Sequence, residues 1–401
     1  MRMLFLPATV FACVLGILQS SLSADEGLKL TINAGEFDRH NTPISVFVDA
    51  SADAKSVCLK DGDGNLIAAQ LTALGLQNEG KEGKSELHFV LPSLKRGKPR
   101  KLTAQFSNEP AQGGFSWKEE ADEYAELSLA DRPVVRYICK TLTDENREDA
   151  YKVYHHVYDL AGTRFITKGS GGKYPHHRGL FFGYNQVTYG DGRKANTWSG
   201  QTTPQTHAGF LADEAGPVLG RHLAAVDWRG AKNDVYLTER RELAVYNTPG
   251  GTLIEFTSRV ATAGGTVRLD GNAAHAGFQF RADQEVAEGT EKQTCYLRPD
   301  GKGELGQARG SAFDLPWDAI SFVLDEKRYT VLYLDHPENH KPTEYNERTY
   351  GRFGSFFPYE LDDGKDLMVK YRVWVQDGEM TVEQATALSN DFADPPQVTI
   401  E

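Results

Sequence analysis

From Leu28 onward the chain alternates apolar and polar residues in short runs, the period-two pattern of half-buried strands. Between Leu28 and Phe106 the runs are brief and broken by turn residues: ISVFVDA, SVCLKDGDGNLIAAQL and SELHFVLPSL, with DGDGN as a tight hairpin turn. This pattern predicts a small β-sandwich over 24–106. NEPAQGGFSWKEEADEYAEL follows, a Gly/Pro stretch and then an acidic run, read as a linker or strap over 107–126. From Leu127 longer strands resume: PVVRYIC, GLFFGYN, TLIEFTSRV, HAGFQF, ISFVLD, YTVLYLD and LMVKYRVWVQ. In the last, Val369, Tyr371, Val373 and Val375 share one face, and Lys370 and Arg372 take the other. Helical periodicity of useful length occurs only in MTVEQATALSNDF, where Thr381 and Gln384 have the spacing of a capping box. The expectation is an all-β protein: a small N-terminal sandwich, a large antiparallel β-supersandwich over 127–401, and one short C-terminal helix.

The first residues differ. MRMLFLPATVFACVLGILQSSLSA has a positive start at Arg2, an apolar stretch from Leu4 to Leu18, and small residues at Ser21 and Ser23. It reads as an export signal peptide over 1–23, which places the mature protein in the periplasm or outside the cell. Cys13 lies too early for a lipoprotein anchor. Beyond this leader no stretch is long and apolar enough for a membrane span. Cys58, Cys139 and Cys295 remain, too few and too far apart for a disulfide framework.

A formal charge of −12 argues against nucleic acid or an anionic membrane as partner. The sequence lacks a CxxC pair, an HExxH motif, a GxSxG elbow and a phosphate-binding glycine loop, so no cofactor is predicted and a metal is left unassigned. DGDGN is no calcium loop, because Thr72 stands where the twelfth-position glutamate belongs.

Histidines carry the chemical signal. They recur with Arg, Asp and aromatics in YHHVYDLAG, YPHHRGLFFGYN, QTHAGF, HAGFQFR and LDHPENHKPTEYNERTYGRFGSFF. Histidine titrates near neutral pH and serves as acid, base or ligand. If HHRGLFFGYN is extended, His176 and Arg178 share a face and His177 supports from behind. In HAGFQFR, His275, Gly277, Gln279 and Arg281 share a face opposite Phe278 and Phe280. Asp335 and His336 end a strand, and Asn339 and His340 follow in a loop.

PHHRGL, THAGF, HAGFQFR and DHPENHKPTEYNERTYGRF together resemble the PmoA-like family, a domain of unknown function found in exported bacterial proteins; the similarity runs from about Leu28 to Asp391. The label suggests methane oxygenation, but the monooxygenase subunit of that name is an integral membrane protein. The resemblance implies instead the supersandwich of galactose mutarotases and polysaccharide lyases, and a carbohydrate as partner. One departure is VTYGDGRKANTWSGQTTPQTH, where only Trp198 matches an aromatic segment of the family.

On this reading a groove holds His176, Arg178, His275 and His336 as catalytic residues. His177, His207, Gln279, Asp335, Asn339, Arg348 and Tyr350 bind substrate. A histidine serves as general acid or base, and Arg178 or Arg348 holds a carboxylate or polarises a carbonyl. The chemistry is hydrolysis, elimination or mutarotation of a sugar or uronic-acid-containing glycan. The alternatives are a non-catalytic glycan-binding sandwich and a metal-dependent oxygenase. An enzyme predicts histidines and an arginine converging in one pocket; a binding module predicts scattered histidines and exposed aromatics in a row. The sequence does not address oligomeric state.

Overall fold

A computed structural model describes residues 27–49, 54–81 and 84–401; the predicted leader lies outside them. Two nine-stranded antiparallel sheets dominate. In the first the strand order is Ala312–Phe313, Glu344–Arg348, Arg352–Phe356, Ala276–Arg281, Leu180–Tyr184, Tyr154–Val157, Arg132–Ile138, Tyr124–Leu129 and Phe115–Glu120. The second is built on long strands, among them Leu219–Arg229, Val235–Tyr246, Thr252–Thr262, Asp366–Asp377 and Lys327–Asp335.

The sheets bury a common core because alternate residues of each strand are apolar. Leu180, Phe182, Phe278, Phe280 and Phe353 come from the first sheet, and Phe256, Val331, Val369, Tyr371 and Val373 from the second. Phe256 stacks on Phe278 at 4.3 Å between ring centroids, 25° from parallel. A four-stranded sheet containing Gln186–Tyr189 and Val267–Asp270 extends the same core through Val187, Tyr189, Val267 and Leu269.

The N-terminal strands form a separate seven-stranded sheet with its own core, including Leu30, Leu59, Leu87 and Phe89. It also takes in Gln397–Ile400, which pairs with Leu28–Asn33. The DGDGN turn is a hairpin, with Asp61 Oδ1 accepting from the backbone N–H of Asp63 and Asn65. The stretch 107–126, expected as a linker, carries the strand Phe115–Glu120 and the start of Tyr124–Leu129. These are the outermost strands of the first large sheet. The helix Val382–Ala393 begins at Thr381 with both hydrogen bonds of the capping box. Cys58, Cys139 and Cys295 are free thiols.

Candidate functional site

The site lies on the face of the first large sheet turned away from the core. Along Ala276–Arg281 strict alternation sends Phe278 and Phe280 into the core and Gln279 and Arg281 to the opposite face. Arg352 opens the neighbouring strand directly across from Arg281. Gly277 has φ +88°, and a Cβ there would lie 1.9 Å from the Ser355 carbonyl oxygen, so only glycine lets these two strands close.

His176 and His177 reach this face by a turn. The chain folds at Tyr174–His177, with the His177 N–H donating to the Tyr174 carbonyl at 3.0 Å, and the strand begins only at Leu180. Extended parity therefore does not apply. The two rings lie together, 4.3 Å between centroids, and His177 faces the site instead of backing it. Gly179 makes the turn possible: it has φ +42°, and a Cβ would meet the His155 carbonyl oxygen at 2.0 Å.

Trp198 is the centre of the cluster. Its loop is pinned to the Leu180–Tyr184 strand through the Trp198 N–H to Tyr184 O bond (3.2 Å) and through Thr197. The indole packs on Phe181 (4.8 Å), His177 (5.3 Å) and His275 (5.9 Å). His275 sits in a turn just before its strand, its Nδ1 3.0 Å from Asn272 Oδ1. Tyr350 stacks nearly parallel to His177 at 6.1 Å and contacts Tyr174 at 4.9 Å. Buried Lys152 ties the two loops together, donating to the carbonyls of His176 (2.9 Å) and Trp198.

Beneath these rings Arg352 donates to Gln279 Oε1 at 2.8 Å and Asn346 Oδ1 at 2.9 Å. Its Nε lies 3.3 Å from the Tyr350 hydroxyl. Every partner is neutral. The imidazoles feel this positive surrounding. Burial first, then Lys152 and His275, bring His176 down to about 4. Burial, then Arg352, hold His177 far below the usual histidine range. Burial, then Arg352 and Arg348, lower His275. All three are neutral rings near pH 7.

Other expected residues go elsewhere. Arg178 is fully buried beneath the loop, donating to the backbone carbonyls of Pro175 (3.0 Å), Asp149 (2.8 Å) and Glu148 and stacking on Tyr151. It clasps the fold and offers a ligand nothing. His207 belongs to a different cluster, 3.4 Å from the Tyr137 hydroxyl and packed on Phe210. Asp335, His336 and Asn339 gather near the C-terminal helix. Asp335 pairs with Lys341 at 2.6 Å and Asn339 at 2.5 Å, and His336 packs edge-on against Phe392. None of their contacts is with the His176–His275 cluster. Arg348 adjoins the site through its influence on His275. Sequence reasoning missed Arg352, Lys152, Tyr174 and Asn346; Arg281 was visible on the Gln279 face but was not assigned a role. Among the described residues no three His, Cys, Asp or Glu side chains converge as a metal-ligand set.

Residues 124–390 match DUF6807, a family of unknown function. The chain belongs to that family. The match carries no PmoA label. No functionally curated protein matches the sequence. Among solved structures the chain is similar to a glycosyl hydrolase family 38 protein from Enterococcus faecalis, at 9% identity and TM-score 0.47, over 94% of this chain and 48% of that one. It is similar to the galactosidase domain of an α-galactosidase–sucrose kinase, at 9% identity and TM-score 0.35, over 66% of this chain and 42% of that one. A galactose mutarotase related enzyme from Lactobacillus acidophilus gives 9% identity and TM-score 0.32, over 67% and 98%. The chain thus spans less than half the length of the first two. At these scores the likenesses carry no weight for what this DUF6807 chain does.

Proposed function

We propose that this DUF6807 protein acts on a saccharide at the His176–His177–His275 cluster, with a neutral imidazole as proton acceptor or donor. The convergence of three neutral histidines around Trp198, beneath Tyr174 and Tyr350, carries the reading. Half-buried His176 and exposed His275 are the proton-transfer residues; Tyr174 and Tyr350 supply aromatic faces, which suit the C–H faces of a sugar ring. Ordinary glycoside hydrolysis uses two carboxylates about 5–9.5 Å apart. None of the largest influences on these imidazoles is a carboxylate. Proton-transfer chemistry, as in mutarotation or elimination, therefore fits better than double displacement. The leader sequence adds that the protein works after export.

The test is a screen of mono-, oligo- and polysaccharides for reducing ends, anomeric interconversion and the ultraviolet absorbance of unsaturated products. Wild type runs beside His176→Gln and His275→Gln. Loss of a general acid–base group costs roughly 10²–10⁴-fold in rate, so at least one variant loses that much turnover while keeping its unfolding midpoint. Turnover untouched in both variants overturns the assignment.

A further inference from the structure

Eight arginines of the described residues are buried, and five of them lie against carboxylates: Arg39 with Asp391, Arg221 with Glu214 and Glu86, Arg241 with Glu239, Arg298 with Glu347, and Arg372 with Glu255. That is the expected arrangement, because a buried charge without a counter-charge is costly. Three depart from it. Arg178 is satisfied by three carbonyls. Arg281 and Arg352, 0% and 1% exposed, are the other two, and both stand in the site.

These two face each other across adjacent antiparallel strands, a position where like charges repel. Neither is within salt-bridge distance of a carboxylate among the described residues. Arg281 Nη1 donates to the Tyr350 carbonyl, and its Nη2 reaches Gln284 Oε1 only at 3.5 Å. Its buried Nε has no partner at all. The Nε–Nη2 edge of a guanidinium is one of the two that take an oxyanion with parallel hydrogen bonds. Both His177 ring nitrogens are likewise buried and unpartnered. Lys152 and Lys168, also buried and in no ion pair, lie near the cluster too, and burial lowers the pKa of both. A chain of net charge −12 has thus placed two buried arginines side by side with no carboxylate in salt-bridge contact, Asp283 acting on Arg281 only from further off.

We propose that the saccharide bound at this site is acidic, its carboxylate or sulfate seated between Arg281 and Arg352. This rests on the saccharide reading above and names the substrate class. The oxyanion supplies the missing counter-charge, takes the free edge of Arg281 and accepts from His177 where that ring carries its proton. Tyr174 borders the floor through its contacts with His177 and Tyr350. That residue is 38% exposed, holds a left-handed backbone (φ +58°) and follows Gly171 and Gly172, which are left-handed too.

The experiment compares matched ligands by calorimetry: uronic-acid oligosaccharides against their carboxyl-reduced forms, and sulfated oligosaccharides against their desulfated forms. Proteins are wild type, Arg281→Met, Arg281→Lys and Arg352→Lys, each checked for an intact unfolding transition. The expected result is at least tenfold tighter binding of the acidic member of one pair. Arg281→Met abolishes that preference, so that the acidic and neutral members bind alike. The lysine variants, which keep charge but lose the fork, weaken acidic binding and serve alone if the methionine variant does not fold. Equal binding of both members of both pairs, or a preference unchanged in every variant, overturns the proposal. Turnover confined to neutral saccharides and independent of Arg281 removes the acidic substrate and leaves the histidine chemistry standing. Acidic binding through Arg281 without turnover does the reverse.

Discussion

The deepest histidines of the fold lie away from the site, and their contribution to stability can be predicted with a sign and a size. His155 and His222 meet inside the large sandwich with their Nε2 atoms 3.0 Å apart. Across this contact one ring donates and the other accepts, and burial, the largest cause for each, holds both below the usual histidine range, so both rings are neutral. Both Nδ1 atoms are buried without partners. Burial, then the charges of His207 and Arg241, bring His222 down to about 3. In the unfolded chain a histidine titrates near about 6.5. Between those values the unfolded state binds the extra proton, so this group makes stability fall as pH falls.

The perturbation is His222→Phe, a ring that fits among Trp117, Tyr137 and Phe210. At about pH 7.5 the variant loses about 1–3 kcal/mol, because His155 Nε2 is left without its partner. On moving to about pH 5, an unfolded histidine takes up nearly a full proton while folded His222 stays neutral. That difference is worth about 2 kcal/mol against the wild type and nothing against the variant. Absolute stability is a poor readout, since Glu242, pushed up to about 7 by burial, works in the opposite direction. Its folded value is above its unfolded one, so its share of stability grows as pH falls through 7. That share is common to both proteins and cancels in their difference. Urea unfolding of the pair at both pH values should therefore show the gap between them shrink by about 2 kcal/mol in acid. A gap that stays constant to within about 0.5 kcal/mol means His222 titrates freely in the folded protein, a gap that widens means it is charged there, and either result defeats the reasoning.

Two further outcomes separate scaffold from site. Arg178→Met strands three backbone carbonyls, and should cost about 3–5 kcal/mol in urea unfolding; a stable variant that loses only saccharide binding would return Arg178 to the groove. Gly277→Ala drives a Cβ into the Ser355 carbonyl at a left-handed φ, so a loss of more than about 3 kcal/mol, or insoluble expression, is expected, and a change under about 1 kcal/mol contradicts the strand pairing.

The strands were legible because alternation is a local property. Val369, Tyr371, Val373 and Val375 enter the core as their spacing predicts, and Thr381 and Gln384 make the expected cap. The region 107–126 misled because edge strands bury little. Phe115–Glu120 has one buried residue, and its acidic end imitates a linker. In the site, parity worked where the chain is truly extended, separating Gln279 and Arg281 from Phe278 and Phe280. It failed at His176–His177, where a turn ahead of Leu180 brings both rings to one side. Arg281 opposite Arg352 is a matter of strand register between distant segments, and no local pattern encodes it. Arg178 looked chemical beside two histidines, yet an arginine satisfies buried carbonyls as readily as it binds a ligand.

The cationic floor and the histidines bear on each other. A general base works best with a pKa near the operating pH, and His176 at about 4 is a weak one. Burial is the largest cause of that depression, and neighbouring positive groups add to it. An oxyanion placed between Arg281 and Arg352 opposes the second contribution, because a nearby negative charge favours the protonated ring. On the acidic-saccharide proposal the substrate therefore raises the basicity of the group that is to act on it. A neutral analogue occupying the same pocket leaves His176 and His275 as they are. Discrimination should then extend beyond binding: the neutral analogue should suffer in kcat as well as in KM. The acid limb of kcat, which reports the bound complex, should lie at higher pH for an acidic substrate than for its neutral counterpart. An identical limb for the two would separate the arginine pair from the chemistry and leave it a binding contact alone.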